Sequence, residues 1–260
     1  MKEIILTIIL GIIQGLTEFL PVSSSGHLTL FQEIFGFEGT NILFTNVALH
    51  FGTLCAVVVF YFKDLCALLK KENHKTIWHL FLATLPAGIV MILFNDKIEE
   101  IFSTSKFLCI GFLFTAIILL LAEFIGKKIT NHKPITYKTA LIMGCAQSVA
   151  ILPGISRSGS TITSGLTIAK GERKTIADFS FFMSIPIILG SAIFEAITVD
   201  FSEINIVATL CGMIAAFITG YLAIKFMIKL IGKCNFKWFS LYLFILSIIT
   251  FINGFIVPIW

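Results

Sequence analysis

The sequence predicts an all-α integral membrane protein with six full transmembrane helices and two oppositely oriented re-entrant helix hairpins, arranged as an inverted-topology repeat. Three observations carry this expectation. Hydrophobic residue types make up 57% of the 260 residues and charged types only 13%, whereas a soluble domain carries about a quarter charged residues. Cationic residues gather in clusters between long apolar runs. Two polar, proline-broken segments interrupt those runs at a fixed spacing. The chain, 1–260, reads as a single membrane domain with pseudo-repeat halves of about 1–130 and 131–260.

From the N-terminus, Lys2 precedes an apolar run, but Gln14-Gly15-Leu16-Thr17-Glu18 offers no small-residue cleavage site. This start is expected to be kept rather than removed as a signal peptide. Segment 4–36 is broken at Pro21 and reads as the first hairpin. Full spans are expected at about 47–69, 76–94 and 105–126, each near the ~20 residues that cross a ~30 Å hydrocarbon core. Segment 139–169 is too short for two spans and is broken at Pro153-Gly154, which makes it the second hairpin. Spans at about 174–198, 204–230 and 237–257 follow.

Charge sets the sides, because Lys and Arg concentrate in cytoplasmic loops. Lys63, Lys70, Lys71 and Lys75 form one cluster; Lys127, Lys128, Lys133 and Lys138 a second. Lys170, Arg173 and Lys174 form a third, and Lys225, Lys229, Lys233 and Lys237 a fourth. Only Lys2, Lys97, Lys106 and Arg157 lie elsewhere. The net charge of +4 thus flanks membrane spans and gives no sign of nucleic-acid binding. Acidic residues near Glu33/Glu38, Asp96/Glu99/Glu100 and Asp200/Glu203 mark the outer loops. On this scheme the first hairpin dips in from outside and the second from the cytoplasm.

A 133-residue offset aligns Gly11 with Gly144, Gln14 with Gln147, Ser23 with Ser156, Ser25 with Ser158 and Gly26 with Gly159. Three spans follow each hairpin, and an odd number inverts the second copy. Inverted repeats with broken helices characteristically build a site near the bilayer midplane.

The first polar segment runs Gln14 to His27. Gln14 and Glu18 share a helix face at a spacing of four. Pro21 ends that helix, and Ser23, Ser24 and Ser25 offer N-caps for the next, with His27 in its first turn beside free backbone N–H groups. The second segment, Pro153-Gly154-Ile155-Ser156-Arg157-Ser158-Gly159-Ser160-Thr161, has the same order of break, hydroxyls, glycine and new helix. A guanidinium among serine hydroxyls at a helix N-terminus suits phosphate oxygens. Together the two tips would hold a carboxylate, an imidazole, hydroxyl nucleophiles and a phosphate clamp, an inventory for phosphoryl transfer.

Other residues read as structural. Gly11 and Gly15 form a small-xxx-small packing pair. His50, at the outer end of a span, reads as interfacial; His74, His79 and His132 belong to no constellation. Asp178, Glu123 and Glu195 are expected to snorkel at span ends. The six cysteines, 55, 66, 109, 145, 211 and 234, have neither metal nor disulfide spacing and read as packing.

These segments resemble those of undecaprenyl-diphosphatases, the bacitracin-resistance type of integral membrane phosphatase. That family's signature is an (E/Q)-x-x-x-E run leading into P-V-S-S-x-G-H, with P-G-x-S-R-S-x-x-T downstream. Here Gln14…Glu18, Pro21-Val22-Ser23-Ser24-Ser25-Gly26-His27 and Pro153 to Thr161 match it in full and in order. The resemblance implies hydrolysis of a C55 polyprenyl diphosphate to its monophosphate plus phosphate. It also implies recycling of the bacterial cell-wall lipid carrier, bacitracin resistance, and a cytoplasmic-membrane location with the site facing outside. Glu18, Ser24, His27 and Arg157 are the implied catalytic set. Ser23, Ser25, Gly26, Ser156, Ser158 and Thr161 would help Arg157 bind the diphosphate. A divalent cation, Mg2+ or Ca2+, is implied, with Glu18 as its ligand and Gln14, glutamine where many members carry glutamate, as a weak one. Partners would be the lipid substrate, the bilayer and, as a further reading, a second copy in a homodimer.

Ser24, His27 or water could attack the terminal phosphorus. A transporter or flippase is the rival class, since inverted repeats are typical of transporters, but a carrier has no need of serine, histidine and carboxylate beside its phosphate clamp. Single cysteines near Glu99 and Asp200, in a background without native cysteines, should react with an impermeant thiol reagent from outside. Those near Lys71, Lys133 and Lys233 should stay protected; the reverse pattern would overturn the orientation.

Overall fold

The computed structural model describes residues 1–37, 42–102, 107–126, 128–129, 132–198, 204–231 and 236–257, without the side chains of 43, 95–102 and 194–198. The acidic residues expected outside at Glu38, Asp200 and Glu203 fall beyond these, as do the side chains of Asp96, Glu99, Glu100 and Glu195. Lys127, Lys233 and Cys234 also lie outside the described residues.

Helices account for nearly all of the described backbone. In order they are α1 (Lys2–Phe19), α2 (Ser24–Ile34), α3 (Ile42–Phe60), α4 (Phe62–Leu68), α5 (His74–Phe102), α6 (Leu108–Gly126), α7 (Tyr137–Val149), α8 (Arg157–Thr167), α9 (Arg173–Thr198), α10 (Ile206–Ile231) and α11 (Lys237–Phe255). The stretches Lys71–Phe94, Leu108–Gly126, Arg173–Ile193, Ile206–Ile231 and Lys237–Phe255 are each long and apolar enough to cross a bilayer. Apolar side chains such as Ile92, Ile110 and Leu222 are exposed along them, as lipid as solvent requires. The protein is an all-α, multi-pass integral membrane protein.

The expected span at about 47–69 is bent. Phe44–Phe60 and Phe62–Leu68 meet at 77°, so the described residues give five straight spans, or six if this bent pair counts as one. Tyr61 leaves helical geometry at the bend (φ −100°, ψ 20°). Its hydroxyl donates to Asp178 Oδ1 at 2.6 Å, and its ring packs against Phe60 and Phe182. Hydropathy averaged over the window does not register this bend, because Lys63 and Asp64 lie among enough apolar residues to leave the run reading as one span.

Both proline-marked breaks are present. Leu20 is extended (ψ 145°), since the ring of a following proline pushes a residue out of helical backbone. At the second break Gly154 adopts φ +83°, a left-handed conformation that costs glycine nothing sterically. A Cβ on Gly154 would also lie 2.9 Å from the Leu108 carbonyl oxygen, so the break packs directly on α6. Each following helix is capped by the first serine of its triplet. Ser23 Oγ accepts from Gly26 N–H at 3.3 Å, and Ser156 Oγ from Gly159 N–H at 3.0 Å.

The packing recurs at the sequence offset. Helix α2 begins at residue 24 and α8 at residue 157, and both run for 11 residues. Helix α1 packs on α10 as α7 packs on α5, and α3 packs on α10 as α9 packs on α5. The paired glycines explain the close approach: a Cβ on Gly11 would strike the Gly212 carbonyl, and one on Gly144 the Ala83 carbonyl. Gly15 meets Ala216 and Gly220 backbone atoms, so the small-residue pair serves packing as expected.

Two carboxylates expected to snorkel are instead bonded within the protein. Asp178 takes the Tyr61 hydroxyl. Glu123 is buried and accepts from the Phe236 N–H at 2.8 Å, capping the start of α11. Ser240 Oγ and Ser247 Oγ, donating to the Ala116 and Cys109 carbonyls at 2.7 and 2.8 Å, fasten α11 to α6. Outside the membrane, Glu172 accepts from the Thr175 hydroxyl, which holds its carboxyl below the usual range.

Gly11→Ala and Gly144→Ala should each lower stability by about 1–3 kcal/mol through overpacking. Gly88→Ala, with no atom within 4 Å of its Cβ, should leave it unchanged or slightly raised. Thermal unfolding of detergent-purified protein measures the contrast.

Candidate active site

The two breaks meet. Glu18, in the last turn of α1, is buried, and its Oε1 is ion-paired with Arg157 Nη2 at the first position of α8. A carboxylate removed from water is costly unless paired and hydrogen-bonded, and its other oxygen takes two further donors. Ser24 Oγ donates to Oε2 at 2.5 Å, and Gln14 Nε2 donates to the same oxygen at 3.0 Å. The spacing of four places Gln14 directly behind Glu18, as the helix period requires.

Ser24 is free to reach Glu18 because Ser23 alone serves as the cap. Ser23 sits at φ +68°, a left-handed conformation unusual for a residue with a Cβ. This turns the chain so that Ser24 faces back toward α1. Ser24 is half-buried, as is Arg157, whose Nη1 has no hydrogen-bond partner. Both N–H groups of this buried guanidinium nitrogen therefore remain unspent.

His27 is buried, and both its nitrogens are engaged. Nδ1 lies 2.7 Å from the Ser23 carbonyl oxygen and Nε2 2.7 Å from the Tyr242 hydroxyl. Its backbone N–H donates to the same Ser23 carbonyl at 3.2 Å. Gly26 fits between Phe112 and Gly154: an added Cβ would lie 2.7 Å from the ring and 2.9 Å from Gly154 Cα. Ser25 Oγ is 3.4 Å from Ser23 Oγ.

The hydroxyls of Ser156, Ser158 and Thr161 are spent on scaffold contacts, whereas the buried Ser160 Oγ has no hydrogen-bond partner. Ser158 Oγ donates to the Leu20 carbonyl at 3.0 Å, tying one break to the other. Thr161 Oγ1 pairs with Ser180 Oγ at 2.6 Å. Ser156 Oγ caps α8, and the Ser156 N–H donates to Thr115 Oγ1 at 3.0 Å. All three side chains are buried.

Sequence reasoning set one neighbour aside and missed another. His50, read as interfacial, comes from α3 with Nε2 3.6 Å from Glu18 Oε2. Its Nδ1 lies 2.7 Å from the Asn46 carbonyl oxygen. Tyr242 reaches His27 from α11. A lone histidine or tyrosine in an apolar span carries no local pattern that reveals such contacts.

A family model described as bacitracin resistance protein BacA matches residues 7–249. An undecaprenyl-diphosphatase of Thermosipho africanus is 42% identical over 255 residues, 95% of this chain and 99% of its own. That of Carboxydothermus hydrogenoformans is 39% identical over 246 residues, 93% and 94% of the two chains. That of Methanobrevibacter smithii is 38% identical over 274 residues, 97% and 98%.

Removing one partner of a buried ion pair strands the other charge and costs about 3–5 kcal/mol. Arg157→Met should lower stability toward the low end of that range, because Arg157 keeps some exposure. Adding Glu18→Gln to it should restore much of the loss. Thermal unfolding of both single variants and the double variant checks this, and additive effects would show that the pair is not coupled.

Proposed function

The chain belongs to the bacitracin resistance protein BacA family, and we propose that it hydrolyses undecaprenyl diphosphate by way of a phosphoserine on Ser24. The products are undecaprenyl monophosphate and phosphate, which returns the lipid carrier to cell-wall synthesis and underlies bacitracin resistance. One observation carries the mechanism: the Ser24 hydroxyl donates to the same carboxylate that Arg157 grips. Nucleophile, proton acceptor and phosphate clamp are contiguous.

Arg157 Nη1 offers a free donor to a terminal phosphate oxygen, and bidentate guanidinium–phosphate contact fixes orientation as well as charge. Ser24 Oγ then attacks the terminal phosphorus. The Oγ–P bond forms, the bridging P–O bond breaks, and undecaprenyl monophosphate leaves while the serine proton passes to Glu18 Oε2. Water next attacks the phosphoserine. The P–Oγ bond breaks, Glu18 returns its proton to Ser24, and dihydrogen phosphate is released. His27 supports rather than attacks, because it is buried with both nitrogens engaged. Ser156, Ser158 and Thr161 hold the second break in place, and Ser23, Ser25 and Gly26 shape the first.

Gln14 Oε1 is buried with no hydrogen-bond partner, an orphaned acceptor one turn from a carboxylate. Two such oxygens suit a hard cation, Mg2+ or Ca2+. Held by Glu18 and Gln14, it would neutralise diphosphate charge. In our reading the protein lies in the bacterial cytoplasmic membrane with this site open to the outside, consistent with the charge clusters of its loops.

Phosphate release from undecaprenyl diphosphate by detergent-purified protein tests the reading. Glu18→Gln should lower kcat by about 10²–10⁴-fold, the usual range for losing a general base. Gln14→Ala should lose far less, and Arg157→Lys should rescue Arg157→Ala poorly, since an ammonium lacks the bidentate fork. With substrate radiolabelled in the terminal phosphate, acid quench should trap label on Ser24, and Ser24→Ala should abolish both label and turnover. Turnover without label at Ser24 would point to direct attack by water, and binding without turnover to a carrier.

A further inference from the structure

We infer that Tyr242 is a positioning residue for the reaction proposed above, acting by fixing the tautomer of His27. The case starts from the other ring nitrogen. Nδ1 of His27 lies 2.7 Å from the Ser23 carbonyl oxygen, and a carbonyl only accepts, so Nδ1 carries a proton. In the neutral ring Nε2 then bears a lone pair, and the Tyr242 hydroxyl 2.7 Å away donates to it. The alternative tautomer would set two acceptors, Nδ1 and the carbonyl, against each other.

The ring is held on both sides. Tyr242 lies nearly parallel to it, at 18° with centroids 5.7 Å apart, and Phe112 meets it at 70° and 5.5 Å. Tyr242 is half-exposed on α11, yet its hydroxyl is turned inward to His27.

What the tautomer secures is the turn before Ser24. Ser23 stands at φ +68°, a backbone conformation that is unfavourable for a residue with a Cβ and persists only where its surroundings impose it. Its carbonyl receives two bonds from His27, the backbone N–H at 3.2 Å and Nδ1–H at 2.7 Å. Ser24 follows directly and projects its Oγ onto Glu18. Donation from Tyr242 to Nε2 keeps the proton on Nδ1, Nδ1–H holds the Ser23 carbonyl, and the held turn aims Ser24. A helix of the second half thereby orients the nucleophile of the first.

Tyr242→Phe removes the hydroxyl and keeps the ring, leaving a buried acceptor unpaired. A loss of this kind is worth about 1–3 kcal/mol, so kcat should fall about 5- to 100-fold while KM stays within about twofold. In 15N-histidine spectra of the detergent-solubilised full chain, the His27 signals, identified by their loss in His27→Gln, should move in Tyr242→Phe. In a His27→Gln background, Tyr242→Phe should cost nothing further. A kcat within twofold of wild type, unshifted His27 signals, or a full additional loss in the His27→Gln background would each overturn the inference. Wild-type protein that releases no phosphate would instead sink the proposed function, so the two failures are distinguishable.

Discussion

A carboxylate and a guanidinium at membrane depth are each costly there, and the cost falls only when they meet. Glu18 and Arg157 meet at the junction of two helix breaks, 139 residues apart in the chain. Each is useless to the fold without the other, so both breaks must arrive at one place. The rest of the packing secures that arrival. Glycines let α1 close on α10 and α7 on α5, the second break lies directly on α6, and Ser158 ties α8 to the carbonyl of Leu20.

The same constraint accounts for the composition of α8. Its sequence, RSGSTITSGLT, is too polar for a span, yet Ser158 through Leu166 are buried. Among its hydroxyls, Thr161 bonds to the backbone carbonyl of Arg157 at 2.8 Å and Ser164 to that of Thr161 at 3.0 Å, each one turn back, while Ser160 Oγ and Thr163 Oγ1 are buried without a partner. Broken backbone is likewise allowed at membrane depth only where protein surrounds it. The second break meets that condition through Thr115, whose hydroxyl oxygen lies 3.0 Å from both the Ser156 nitrogen and the Gly154 carbonyl oxygen.

Features written in local pattern were legible in the sequence. Proline and glycine located both breaks, spacing placed Gln14 behind Glu18, and a serine opened each new helix. Arg157 stood apart from the basic loops. Features that depend on which distant side chain arrives were not legible. The bend at Tyr61 rests on a hydrogen bond to Asp178, 117 residues away, and nothing in a run of aromatic residues records it. Glu123 and Asp178 looked like snorkelling residues because their protein partners come from remote segments. His50 and Tyr242 sit in largely apolar helices, and their contacts with Glu18 and His27 come from distant segments, so only the tertiary fold gives them a role.

The resting pair also bears on how catalysis can begin. With Nη2 on Glu18 and Nη1 unspent, Arg157 can take a phosphate oxygen without first releasing the carboxylate. As the second guanidinium donor turns to phosphate, Glu18 loses the positive charge that balanced it. On the proposed reaction the proton of Ser24 reaches Glu18 at this stage and neutralises it, so no uncompensated carboxylate is left buried. Charge balance then couples clamping to attack: the guanidinium can commit fully to phosphate only as the serine gives up its proton. A lysine at 157 could not match this geometry, because an ammonium is a point charge rather than a planar fork.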